Sequence, residues 1–203
     1  MGTLRIEVVA GAALTPHIPA LARLRQAVFR DWPYLYDGRA EYEARYLETY
    51  AACPRAALVV AWDGADPVGL ATCLPLVDET PNVVQPFRDA GLDPAAWFYF
   101  GESVLLRPYR GQGAGASFFR AREAQAQAQG FRHAAFCVVV RPADHPARPV
   151  DAMPLDGFWR NRGYRPRPGL SCTMRWLDLG DDAERAHTMQ FWTKDLDFGD
   201  ARP

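Results

Sequence analysis

The sequence predicts an α/β (α+β) fold on one central sheet, and three observations carry that prediction. Seven short runs are apolar or alternate at strand period, and about four stretches of helical period lie among them. One strand runs directly into a glycine-rich turn that opens a long helix, an arrangement of layered α/β proteins. The 203 residues, 49% of them hydrophobic, suit a single domain over 1–203 with a sizeable core.

Leu4 to Val9 alternates as a first strand. Ile18, Leu21, Leu24 and Val28 then recur at near-helical spacing, which predicts a helix to Phe29. After the aromatic, turn-rich Asp31–Gly38, a second helix over Ala40–Ala52 sets Tyr42, Tyr46 and Tyr50 along one face, and Pro54 closes it. Ala57–Trp62 and Val68–Leu74 read as strands joined by the hairpin connection Asp63–Pro67. A short helix is expected near Val84–Ala90. Trp97–Leu106, dense in aromatic and branched residues, reads as a central strand. The turn Arg110–Gly115 leads into an alanine- and glutamine-rich helix that ends at Gly130, a C-cap residue. His133–Val140 has the near-continuous apolar character of a strand buried on both faces. A proline-rich loop, a short helix over Leu155–Arg162 and strands at Leu170–Leu177 and Thr188–Leu196 complete the order.

The formal net charge of -1 gives no electrostatic reason to bind nucleic acid or an anionic membrane. No run approaches the ~20 apolar residues of a membrane span, and Met1–Ala10 lacks the apolar core of a signal peptide, so a cytoplasmic protein is expected. Cys53, Cys73, Cys137 and Cys172 are scattered, three of them inside apolar runs where a reduced thiol packs as a small hydrophobe. His17, His133 and His187 show no metal-ligand spacing, so no metal is expected.

The turn carries the most chemistry. A strand, a glycine-rich turn and a helix N-terminus aim backbone N–H groups and the helix dipole at one point, which makes an anion site. A P-loop would need Lys-Ser/Thr after its last glycine, but Gly115 is followed by Ala116 and Ser117. A dinucleotide fingerprint on Gly111, Gly113 and Ala116 would want an acid at the end of the next strand, and Val138–Arg141 offers none. A plain tight turn is the remaining rival. The strand before the turn holds one acid, Glu102; a carboxylate among aromatics tends toward a raised pKa suited to a base, or Glu102 can be structural and pair with an arginine.

Arg110-x-x-Gly113-x-Gly115 resembles the Arg/Gln-x-x-Gly-x-Gly/Ala signature of the GNAT N-acetyltransferase superfamily, and Phe158–Tyr164 resembles its second conserved block. The resemblance implies a mixed, mostly antiparallel sheet of about seven strands with a splayed parallel pair and about four flanking helices. It implies acetyl-CoA as cosubstrate, its pyrophosphate on Arg110, Gly111, Gln112, Gly113, Ala114 and Gly115. The pantetheine arm would run along Val104, Leu105 and Leu106, with Trp159 of the second block nearby. It implies transfer of the acetyl group to a primary amine of a small molecule or peptide by direct attack, with Glu102 as the base. Trp159 stands where many relatives carry a proton-donating tyrosine, so no acid is named. That departure also leaves open a catalytically weak acyl-CoA-binding or regulatory module.

Two segments are candidates for the acceptor side. Trp32, Tyr34 and Tyr36, with Asp31 and Asp37, can hold a cationic amine by cation–π contact and charge, or they can simply pin their loop. The loop Arg141–Pro154 carries His145, which can titrate near neutral pH or stand in solvent. The aromatic C-terminal strand Met189–Lys194 suits either a homodimer contact or core packing.

Overall fold

The structure is a computed structural model that describes residues 3–38, 43, 47 and 49–197. Seven strands form one sheet: β1 (Arg5–Ala10), β2 (Ala57–Asp63), β3 (Asp66–Pro75), β4 (Trp97–Leu105), β5 (His133–Val139), β6 (Arg165–Trp176) and β7 (Arg185–Asp195), in the spatial order β1-β2-β3-β4-β5-β7-β6. Every neighbouring pair is antiparallel except β4–β5, which is parallel. This is the mixed, mostly antiparallel sheet that the family resemblance implies.

Four helices with defined bounds flank it: α1 (Ile18–Phe29), α2 (Pro81–Asp89), α3 (Ala114–Ala128) and α4 (Asp156–Arg160). Residues 43, 47 and 49–52 are also helical; of the expected tyrosine face only Tyr50 falls among the described residues, and Tyr42 and Tyr46 lie outside them. The start of α1 follows from Pro19, whose fixed φ and missing N–H suit the first helical turn. The end of α3 follows from Gly130 at φ +82: its N–H donates to Gln127 O and that of Phe131 to Ala126 O, a Schellman closure.

The two sheet faces bury separate cores. On one, Leu21 and Leu24 of α1 pack with Leu58, Leu70, Tyr99 and Cys137. On the other, Phe119 and Ala126 of α3 pack with Phe98, Phe100, Phe136 and Tyr164. Fully buried side chains such as Leu21 and Phe98 each contribute about 1.5–3 kcal/mol through area removed from water.

Three boundaries differ from the sequence reading by three residues or more. α2 begins at Pro81, earlier than Val84, because proline is well placed in a first helical turn. β6 begins at Arg165 and not Leu170, although it contains Pro166 and Pro168. It is the outermost strand next to β7, so prolines with no N–H cost it few ladder bonds, and its register breaks between Pro166 and Ser171. β7 begins at Arg185 and not Thr188, because its polar start pairs with Trp176 and Arg175 of β6.

Candidate active site

The site grows from the parallel pair. β4 and β5 pair only where Trp97, Phe98 and Tyr99 face His133, Ala134 and Ala135. Beyond Tyr99 and Ala135 the ladder between them stops, although β4 continues to Leu105 and β5 to Val139. The strands part toward their C-terminal ends, where an α/β sheet receives its ligands.

A bulge in β4 lies beside this parting. Ala71 and Cys73 of β3 stand two residues apart, while their partners Ser103 and Phe100 stand three apart, so β4 carries one extra residue at Gly101–Glu102. The Glu102 N–H donates to the Thr72 hydroxyl at 3.0 Å instead of to a ladder carbonyl. The extra residue also shifts the alternation. Phe98 and Phe100 face α3, whereas Tyr99 and, beyond the bulge, Val104 share the face of α1. Glu102 reaches that same face, where its Oε2 lies 2.6 Å from Nη1 of Arg25 in α1. The same guanidinium donates through Nε to Glu43. Arg25, Glu43 and Glu102 are all buried.

Glu79 completes this buried polar group. It accepts from the Tyr50 hydroxyl at 3.2 Å and from the Thr80 N–H. Burial, helped by the charge of Glu102, pushes its carboxyl above the ordinary range. The Tyr99 hydroxyl sits 3.0 Å from Cys137 Sγ, and burial raises its pKa far above the ordinary value.

The turn after β4 has the geometry of an anion site. Gly111 and Gly113 adopt φ +77 and +86, the left-handed region, and a β-carbon at either would meet nothing within 4 Å. No side chain caps α3, so its first amides have no side-chain acceptor at the helix N-terminus. The turn is braced from below: Arg110 Nε donates to Leu105 O at 3.0 Å, Gln112 Nε2 to Pro108 O at 3.0 Å, and the Tyr109 hydroxyl to Asp63 at 2.8 Å. An uncapped helix N-terminus beside glycines with room around them suits an anionic group. Among the described residues no His/Cys/Asp/Glu cluster has metal-ligand geometry.

The second block reaches the turn through a neighbour of the expected residue. A β-carbon at Gly115 would lie 3.3 Å from Phe158 of α4, so α4 abuts the turn by Phe158. Trp159 packs instead on Phe136 and Trp192, with ring centres at 5.3 and 5.0 Å. Tyr164 is fully buried and donates to Glu123.

The acceptor-side candidates come together in space. The Trp32 ring lies 5.3 Å from that of His145, which joins the two loops. Arg141, just beyond β5, donates from Nε to Pro33 O at 2.8 Å and from Nη2 to Tyr34 O at 2.6 Å, while forming a two-pronged pair with Asp178 at 2.8 Å. Tyr34 leans on Phe29 and packs against the core on the α1 face, and burial raises its hydroxyl pKa. Tyr36 is buried and forms a bridge to Asp178. Sequence alone does not single out Arg141, a buried arginine that shows its place only through contacts; Phe158 it marks only as the start of the second block.

Residues 21–150 match the Acetyltransferase (GNAT) family. The chain belongs to that family. It is an acyltransferase with the GNAT fold, and many solved structures share that fold. A ribosomal-protein-alanine N-acetyltransferase from Brucella melitensis is 16% identical, with 95% of this chain and 100% of that one covered at a TM-score of 0.59. An acetyltransferase from Thermus thermophilus is 17% identical over 97% and 100%, with a TM-score of 0.57. A GCN5-related N-acetyltransferase from Kribbella flavida is 17% identical over 96% and 98%, at 0.55. No curated protein matches the GNAT chain in sequence. No described helix of this acetyltransferase is long and apolar enough to cross a membrane.

Proposed function

We propose that this acetyltransferase moves the acetyl group of acetyl-CoA to a primary amine of a small molecule or a peptide, by direct attack with both substrates bound. The observation that carries the reading is the uncapped N-terminus of α3 beside the parted strands β4 and β5. The amides of Gly111–Gly115 would hold the pyrophosphate through backbone donors and the α3 dipole. The end of β4 at Val104 and Leu105, with Leu106 just beyond it, would order the pantetheine arm. Acetyl-CoA supplies an electrophilic thioester carbonyl; the chain's own residues supply position and proton transfer.

An attacking amine must shed a proton, and Glu102 is the proposed acceptor. The bulge turns its carboxyl toward the face on which Tyr34 and the acceptor loop lie. Trp32, Tyr34, Tyr36 and His145 are proposed to border the amine, with Arg141 holding their loop in place.

The test follows free CoA release against a panel of amines that includes alanine-terminated peptides, since the Brucella protein of like fold is named for ribosomal-protein alanine. Glu102→Gln is expected to lower kcat about 100-fold or more, as loss of a general base does, while acetyl-CoA still binds. Unchanged turnover would remove Glu102 as the base. Acetyl-CoA binding by the native chain without turnover of any amine would favour an acyl-CoA-binding module instead.

A further inference from the structure

Arg122 of α3 is buried to 2% exposure, yet no carboxylate among the described residues pairs with it. Its guanidinium packs on the rings of Phe100 at 4.5 Å and Phe119 at 4.9 Å, which meet each other edge to face. Its acceptors are backbone carbonyls: Phe118 at 3.2 Å, Thr72 at 3.5 Å and Glu102 at 3.4 Å. Burial pulls its pKa below the usual arginine value. A buried cation with no anion costs several kcal/mol, so a structure that keeps one uses it for something apolar packing cannot do.

The location identifies that use. Thr72 and Glu102 face each other across the β4 bulge, where the ladder loses one register position. There the Thr72 hydroxyl takes the Glu102 N–H, and Arg122 Nη1 bridges the two carbonyls. The usual strand-to-strand bonds are replaced at this point by one hydroxyl and one guanidinium. Buried carbonyls left without a donor would favour closing the bulge into regular pairing. Closure would draw β4 back toward a straight course beside β5 and return Glu102 to the α3 face.

We propose that Arg122 is a positioning residue for the donor substrate: by holding the bulge carbonyls it keeps β4 bent away from β5, and so keeps open the channel for the pantetheine arm. This rests on the acetyl-CoA reading above and not on Glu102 acting as base. Phe100 and Phe119 contribute by holding the guanidinium against two adjoining rings through cation–π contact. The nucleotide end of the donor would be held at the turn by backbone amides, whereas Arg122 spends its hydrogen bonds on Phe118, Thr72 and Glu102. The two halves of the donor should therefore respond differently to a change at this residue.

The experiment is calorimetric titration of the full chain with acetyl-CoA and, separately, with adenosine 3′-phosphate 5′-diphosphate, which has the nucleotide half and no pantetheine. The native chain is expected to bind acetyl-CoA more tightly. Arg122→Met is expected to weaken acetyl-CoA binding about tenfold or more, the scale of hydrogen bonds to a charged group, while nucleotide binding stays within about twofold. Arg122→Lys, which keeps the charge but reaches fewer acceptors, is expected to fall between. Should the Met variant not fold, the Lys variant carries the same comparison.

Equal weakening of both ligands, or of neither, would overturn the proposal, because a merely structural arginine changes the folded fraction and not the ratio of two affinities. Equal affinity of the native chain for both ligands would overturn it as well. Native protein that binds neither ligand would instead bring down the acetyl-CoA reading itself.

Discussion

At Gly101 a β-carbon would lie 2.0 Å from the Tyr50 hydroxyl and 2.4 Å from Thr72 Oγ1, whereas at Gly111 it would meet nothing within 4 Å. The first glycine is required by crowding and the second by its φ of +77. Gly101→Ala must displace two side chains that hold Glu79 and the Glu102 N–H. Overpacking plus those hydrogen bonds should cost about 3 kcal/mol. Gly111→Ala should cost about 1 kcal/mol, from left-handed strain alone. Urea unfolding of the two variants measures the difference, and equal midpoint shifts would contradict it. The sequence shows Gly111 at once, because turn glycines cluster after a strand. Gly101 inside an aromatic strand gives no such sign, since its neighbours Tyr50 and Thr72 are distant along the chain. Arg25 is hidden in the same way: it sits on an amphipathic helix, and only the fold sets it between Glu43 and Glu102.

Strands and helices with strong internal patterns are the readable part. α1 falls where the 3.6-residue spacing of Ile18 to Val28 puts it, and β2 and β3 lie on either side of their turn. The prolines of β6 mislead because their cost depends on whether the strand is an edge, a property of the sheet and not of the strand. The β6–β7 pair also carries a pH-sensitive element. His187 of β7 stacks on Trp176 of β6 at 3.8 Å and lies near Asp178. Burial lowers its pKa from the usual 6.5, with the Asp178 charge opposing and those of Arg141 and Arg185 assisting. A depressed pKa means that the unfolded chain takes the proton first. His187 therefore costs nothing well above pH 6.5 and destabilises the fold as pH drops through and below that value. Asp178 adds to this only in stronger acid. Burial pushes its pKa up, but the hydrogen bonds and charge of Arg141 more than offset that and hold it below 3.8, so its stabilisation is lost only beneath that pH. The expected result is that the melting temperature drops less between pH 7.5 and pH 5 in His187→Gln than in the native chain. Parallel curves would show that His187 does not couple to folding.

At the scale of the molecule, the sheet divides where β4 and β5 meet, since only Trp97–Tyr99 and His133–Ala135 join the two halves by backbone pairing. Such a short join needs support on both faces. On the α3 face the support is aromatic: Phe100, Phe119, Phe136 and Tyr164 are in mutual ring contact across the gap. On the α1 face it is polar: Arg141 beyond β5 ties Pro33 and Tyr34, which follow α1, to Asp178, which follows β6. Trp176 Nε1 reinforces it by donating to Tyr34 O and Asp178. The parting of β4 and β5 thus has an apolar wall that cannot yield without opening the core, and a polar wall that hangs on one buried ion pair. Arg141→Met leaves Asp178 buried without its guanidinium, a loss of about 3–5 kcal/mol. The double variant Arg141→Met/Asp178→Asn removes the stranded charge and should recover part of that. If the clamp joins the halves, hydrogen exchange in the double variant should rise at residues 31–37 and 176–187 and stay at the native level in β1, β2 and α3. A uniform rise across the sheet would mean that Arg141 supports the fold as a whole and not the join between its halves.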